Sequence, residues 1–314
     1  MTAEGEQIDL FLDSMINAPM KDERAVMEFP FFSLQKQPRR TPMIYDDGKV
    51  QIRIDPGPKG IATIYDKDVL IYVASAINDR IERGLPVSRT VRFAAYDFLK
   101  ATERGVTKDS YERFLDTLHR LRATTITTTI KSGDQTERRG FGWVDNWRVV
   151  ERKTKDGSVR MAGIEVTLND WMFRAIVNDR RVLTINRDYF SLTMALERRL
   201  YELARKHVGR QPEWRISLER LHQKCGATDT LRKFKWRLKE VIDRDNIPDY
   251  RIEIALDPSA PREFKPPRRL TLEKTLICFL PRTDGPVART SPIGIMPPRG
   301  NGNMPESWDR EHDA

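Results

Sequence analysis

The chain has 314 residues, of which 32% are charged and 39% hydrophobic, a length that accommodates two domains of ordinary size. A net charge of +9 and a sequence pI near 9.5 favour polyanionic partners but do not choose among DNA, RNA and anionic lipid. No apolar run approaches the roughly 20 residues of a membrane span, and the acidic, polar start lacks a signal-peptide pattern, so a cytoplasmic protein with no membrane partner is expected.

Residues 1–28 are polar and acidic with few core-forming side chains and read as a flexible tail. Within it, Gln7, Ile8, Asp9, Leu10 and Phe11 resemble the short motif with which bacterial replication proteins dock on the polymerase sliding clamp. An amide and two adjacent large apolar groups on a mobile segment suit a preformed pocket. Ile8, Phe11, Leu12 and Ile16 also fit one stripe of an amphipathic helix, the competing reading.

Residues 28–37 and 49–54 read as extended, and residues 60–66 as β-like. A helix follows over 67–83, with Val69, Leu70, Val73, Ile77 and Ile81 on one face and Gly84 closing it. A strand over 87–93 and a helix over 94–103 come next. Thr107 can cap a helix running to Arg122 on Tyr111, Phe114, Leu115, Leu118 and Leu121. Residues 123–133 are rich in β-branched side chains and predict a strand. Strands over 140–150 and 158–168 follow, with Asp156-Gly157 as a hairpin signal. Helix, strand, two helices and a hairpin is the order of a winged helix.

The second half repeats that order. A bridging helix is expected over 169–179 and a long helix over 188–208, then a strand over 214–216. Ser217 caps a short helix bearing Leu218, Leu221 and Cys225. Gly226-Ala227-Thr228 turns the chain into a helix over 229–245, with Leu231, Phe234, Leu238, Val241 and Ile242 as its stripe. Strands over 250–256 and 272–280 complete the unit. The Pro-rich, basic stretch 259–269 is a loop, read as a wing tip. The predicted fold is α+β: two tandem winged-helix domains, 29–168 and 169–281, with disordered tails at 1–28 and 282–314.

The outward side of helix 229–245 is mostly cationic. Thr230, Arg232, Lys233, Lys235, Trp236 and Arg237 are the candidate DNA contacts, because cations meet phosphates and Arg also reads guanine edges. A solvated helix face is the plain alternative. Trp236 has three readings: a DNA contact, packing on the wing, or cover beneath Lys and Arg stems.

No catalytic constellation emerges. His119, His207, His222 and His312 form no metal-binding pair, and His222 with Cys225 lacks a second pair of zinc ligands. No Gly-rich phosphate loop is present. Asp66, Asp68, Asp243 and Asp245 read as helix-end charges and His207 as support for a helix C-terminus. Two cysteines make no disulfide framework; Cys225 and Cys278 read as buried thiols. No catalytic residue, metal or cofactor is expected.

Several segments together resemble the plasmid replication initiator protein A family. They are EFPFFSLQK (28–36), GIATIYDKDVLIYVASAI (60–77), GFGWVDNW (140–147) and DYFSLTMALERRLYELARKHVG (188–209). The resemblance spans about residues 28–282. It implies two winged-helix domains that bind origin double-stranded DNA and recruit host replication machinery, such as the sliding clamp and the replicative helicase or its loader. It also implies a non-enzymatic role in plasmid replication and copy control, with autorepression as a homodimer. The first-domain helix 107–122 would then present Lys108, Ser110, Arg113, Thr117 and Arg120 to a second groove or to phosphates. A winged-helix transcriptional regulator is the first rival reading, and a nicking or priming enzyme the second.

Overall fold

The structure is a computed structural model and describes residues 15, 16, 18–132, 135–153, 159–256 and 275–282. The Gln7–Phe11 motif, the 156–157 hairpin signal, the 259–269 loop and the segment from 283 onward lie outside the described residues.

The segment just before Glu28, expected as part of a tail, is built into the core. Strand β1 (Met20–Glu23) and helix α1 (Arg24–Glu28) follow one another, and Met20, Val26 and Met27 are buried. The charges that suggested a tail have partners far along the chain. Lys21 Nζ donates to Thr184 Oγ1 at 3.0 Å, and Asp22 meets Lys67 at 2.6 Å.

Strands β2 (Met43–Asp46) and β3 (Val50–Asp55) form a hairpin. Residues 28–37 and 60–66, expected as extended, instead run after α1 as irregular chain, buried over 30–33 and 60–64 and joined by one parallel bridge, Ser33 to Thr63. Aromatic packing holds this segment: Phe32 stacks on Trp143 at 4.8 Å, and Phe31 meets the same ring edge-on at 5.3 Å.

Helix α2 (Lys67–Glu82), strand β4 (Thr90–Phe93) and helices α3 (Ala95–Ala101) and α4 (Lys108–Ala123) come next, close to their predicted bounds. Strands β5 (Thr125–Ser132) and β6 (Gln135–Phe141) join the first hairpin in a four-stranded sheet ordered β2-β3-β5-β6. Its inner face carries Met43, Tyr45, Ile52, Ile54 and Ile126. Strands β7 (Val144–Lys153) and β8 (Val159–Leu168) pair with β4 in a separate sheet.

Helix α5 (Asp170–Val177), capped by Asn169, packs on α2. Strand β9 (Val182–Ile185) pairs antiparallel with β1. The helix expected to start at Asp188 begins later: a single 3-10 turn covers Arg187–Tyr189, and α6 spans Ala195–His207. Arg198 explains the break. Its guanidinium donates to the carbonyls of Phe190 and Leu192, folding that stretch back along the flank of α6. Strand β10 (Trp214–Ser217), helices α7 (Leu218–Lys224) and α8 (Leu231–Arg244), and strands β11 (Tyr250–Leu256) and β12 (Thr275–Pro281) complete the described chain.

The result is a mixed α+β fold with eight α-helices and several small antiparallel sheets among the described residues. One pattern occurs twice. α2-β4-α3-α4-β7-β8 and α6-β10-α7-α8-β11-β12 share an order, and each three-stranded sheet sets its last strand in the middle, as β4-β8-β7 and β10-β12-β11. The inserted β5–β6 hairpin is the main departure of the first half from the second.

The halves are joined through buried charge. Lys67, fully enclosed, reaches Asp22 at 2.6 Å and Glu202 at 2.8 Å. Burial would lower its pKa, but the two carboxylates raise it. Burial pushes Asp22 up to about 7 despite Lys67. Asp68 binds Arg198 at 2.7 Å and Arg104 at 2.8 Å. Asp66 and Asp68 are therefore core ion-pair members and not solvated helix-end charges. Glu28 receives Lys206 at 2.7 Å and also Lys224, with His207 Nε2 at 3.0 Å. Burial alone would raise this carboxyl, and these three partners hold it well below the usual range. His207 closes α6 and stacks on Trp214 at 4.3 Å, so its role is packing and pairing across elements. Buried pairs of this kind add little net stability, but losing one partner strands a charge in low dielectric.

Candidate nucleic-acid interface

The α7–α8 corner is specified locally. Ser217 caps α7 by accepting from the Arg220 amide at 3.2 Å, and Thr230 caps α8 by accepting from Lys233 at 3.3 Å. Between them Gly226 takes φ +62, and an added Cβ there would sit 2.7 Å from the Cβ of Pro30. Both facts demand glycine. His222 bridges the turn: its Nε2 lies 2.7 Å from the Asp229 carbonyl, and its ring meets Phe234 edge-on at 5.1 Å. His222 is thus a structural brace. Cys225 is buried, which pushes its thiol up to about 12; burial likewise raises Cys278 to about 11. Both are inert thiols.

Helix α8 buries Phe234, Leu238 and Val241, with Leu231 and Ile242 half-buried beside them. Each fully buried side chain contributes about 1.5–3 kcal/mol, which pins the rotation of the helix. Arg232, Lys233, Trp236 and Lys239 are thereby turned outward and exposed. Thr230 is exposed but committed to its cap. Lys235 is half-buried and donates to Thr275 Oγ1 at 3.0 Å; burial lowers its pKa. Arg237, expected to face outward, is half-buried and pairs with Asp229 at 2.9 Å. Glu240 pairs with Arg244 at 2.8 Å. Both nearby acids therefore have partners. Among the described residues Arg232, Lys233 and Lys239 carry no ion pair. Lys239 was absent from the predicted set, although it lies three residues beyond Trp236 and seven beyond Arg232, on the same face.

Trp236 is 67% exposed and stacks on no other ring among the described residues. It is absent from the core cluster and from the side chains packed against it.

In the first half, Thr107 caps α4 by accepting from the Ser110 amide at 3.3 Å. Lys108 and Arg113 are exposed, Lys108 only 3.9 Å from Glu112; Ser110 is half-buried against Thr107. Arg120 and Thr117 were expected on this outward side, and the structure turns both inward. Arg120 grips Asp66 with two nitrogens at 2.7 and 2.8 Å, and Thr117 donates to the same carboxylate at 2.6 Å. Burial alone would raise Asp66, but the hydrogen bonds from Arg120 and Thr117 hold it below the usual carboxylate range. Arg120 is a structural ion-pair partner with little guanidinium left for a ligand. The 100° spacing put it on the outward side, but a side chain this long reaches across to Asp66 at the start of α2.

Among the described residues, no group of three or more His, Cys, Asp or Glu side chains is placed to hold a metal ion. No described helix is long and apolar enough to cross a membrane.

The sequence comparison places the chain in a family. The chain belongs to the Replication initiator protein A family, whose profile matches residues 21–252. A protein of Wigglesworthia glossinidia brevipalpis called "Putative replication protein" is 37% identical over 246 residues, covering 78% of this chain and 88% of that one. Among solved structures, the crystal structure of domains 2 and 3 of RctB superposes with a TM-score of 0.58 at 13% identity, over 80% of this chain and 95% of that one. A second structure of the same RctB domains gives 0.51 at 14% identity, over 79% and 94%. At such identities the likeness is one of fold.

Proposed function

We propose that this protein initiates plasmid replication by binding origin duplex DNA sequence-specifically through two tandem winged-helix domains, without catalysis. The domains correspond to 29–168 and 169–281, with β1 and α1 acting as a strap between them. The observation that carries the reading is the twice-repeated helix, strand, helix, helix, hairpin order with its central last strand, together with the unpaired cations of α8. That helix follows a tight Gly-containing corner, as a recognition helix does.

In this reading α8 enters the major groove. Arg232, Lys233 and Lys239 neutralise phosphates and release counterions, giving salt-dependent affinity. Arg232 also reaches base edges, where a bidentate guanine contact discriminates by about 1–3 kcal/mol. Helix α4 offers Lys108 and Arg113 to a neighbouring stretch of the same duplex. Binding energy then bends or loosens the adjacent origin. The Gln7–Phe11 motif tethers the sliding clamp, and a homodimer represses the gene that encodes it.

The test is footprinting on DNA flanking the protein's own gene, followed by replication of a plasmid that lacks its initiator. A protected region and restored replication are expected. The variant Arg232→Ala with Lys233→Ala should lose the footprint and melt like wild type, since both side chains are exposed. Wild-type binding by that variant would refute the role of α8. A footprint without replication would make the protein a transcriptional regulator.

A further inference from the structure

Trp236 is the large apolar side chain on α8 that the core does not use. It is 67% exposed and sits sixth in a 14-residue helix. Arg232 lies one turn before it and Lys239 one turn after. These two cations are separated by about 10 Å along the helix axis and share one outward face with the indole. With this face turned into the groove, Arg232 and the indole both reach base edges while Lys239 meets a bordering phosphate. Recognition helices contact bases through their N-terminal half, where Trp236 lies.

The chemistry of the ring then narrows the choice of base. Indole has one N–H donor and no acceptor; the rest of its surface is apolar. In the major groove each base pair shows donors and acceptors, and only thymine shows an apolar group, its C5-methyl. We propose that Trp236 reads thymine, packing its ring on the C5-methyl of one thymine within the protected site. This rests on the reading of α8 as the groove-entering helix.

The test uses the full-length chain and the footprinted duplex, with each thymine replaced singly by deoxyuridine. The swap removes one methyl and leaves base pairing unchanged. At one position the affinity should fall about fourfold, the transfer preference of a single buried methyl group. Trp236→Ala should weaken the thymine duplex and bind thymine and uracil forms of that position equally, while Trp236→Phe keeps part of the discrimination. Both variants should melt with wild type, because the ring packs on nothing in the core. Equal binding of all uracil duplexes by wild type overturns the proposal, as does undiminished uracil sensitivity in Trp236→Ala. Absence of any footprint overturns the underlying DNA-binding reading and the thymine assignment with it, so the two failures are told apart.

Discussion

Replacing Lys67 with Met tests the charge buried between the two halves. Met fills most of the stem volume but removes the ammonium from two carboxylates. Glu202 keeps Tyr189 at 2.9 Å and Arg199 at 3.0 Å. Among the described residues Asp22 keeps the Glu23 amide at 2.9 Å, and burial pushes its carboxyl up, so it is the group left stranded. Breaking a buried pair from one side costs about 3–5 kcal/mol. For a unit of this size each kcal/mol lowers Tm by about 2–4 °C, so a fall of about 10 °C is expected at pH 7.5. Urea unfolding followed by circular dichroism gives the free energy directly. The sign of the pH dependence is fixed by Asp22. Its carboxyl is raised to about 7 in the folded protein from 3.8. The folded state therefore binds a proton the unfolded chain does not, and this group's contribution falls as pH rises between about 4 and about 7. Without Lys67 the carboxyl titrates higher still, so the deficit of Lys67→Met should shrink toward pH 5. Asp22→Asn in the same chain should recover part of the loss. A deficit below about 1 kcal/mol, or one that grows as pH falls, would refute the role given to the Lys67 ion pairs.

Three further outcomes follow from particular contacts. Arg120→Ala strands the buried Asp66 and should cost about 3 kcal/mol by urea unfolding; an unchanged midpoint with weakened DNA binding would restore Arg120 to the interface. Leu238→Asp places a charge in the packed face of α8 and should abolish soluble folding, read by gel filtration and circular dichroism. A soluble variant with wild-type DNA affinity would overturn the assigned stripe. Leu10→Ala with Phe11→Ala should abolish pull-down of the sliding clamp while leaving the footprint intact, and undiminished pull-down would remove the motif from the reading.

Local chemistry was enough for much of this protein. Periodicity, caps and glycine turns placed α2, α3, α4, α5, α7 and α8 within a few residues, because each apolar stripe and cap lies within its own helix. The repeated element order was legible for the same reason, and so was the outward direction of Arg232, Lys233 and Trp236 opposite Phe234 and Leu238. Partners distant in sequence decided the rest. Residues 20–28 looked like tail because their charges have no local match; Lys67, Thr184 and Lys206 satisfy them only once the chain is folded. Arg120 and Arg237 have outward positions on their helices, yet Asp66 and Asp229 turn them into ion-pair partners. The helix start at Ala195 depends on Arg198 reaching back to two carbonyls, which no local propensity encodes. Which residues can face a groove is a matter of helical angle and was set by sequence. Which cations are left free to do so is a matter of the acids brought beside them, and only the tertiary structure decided that.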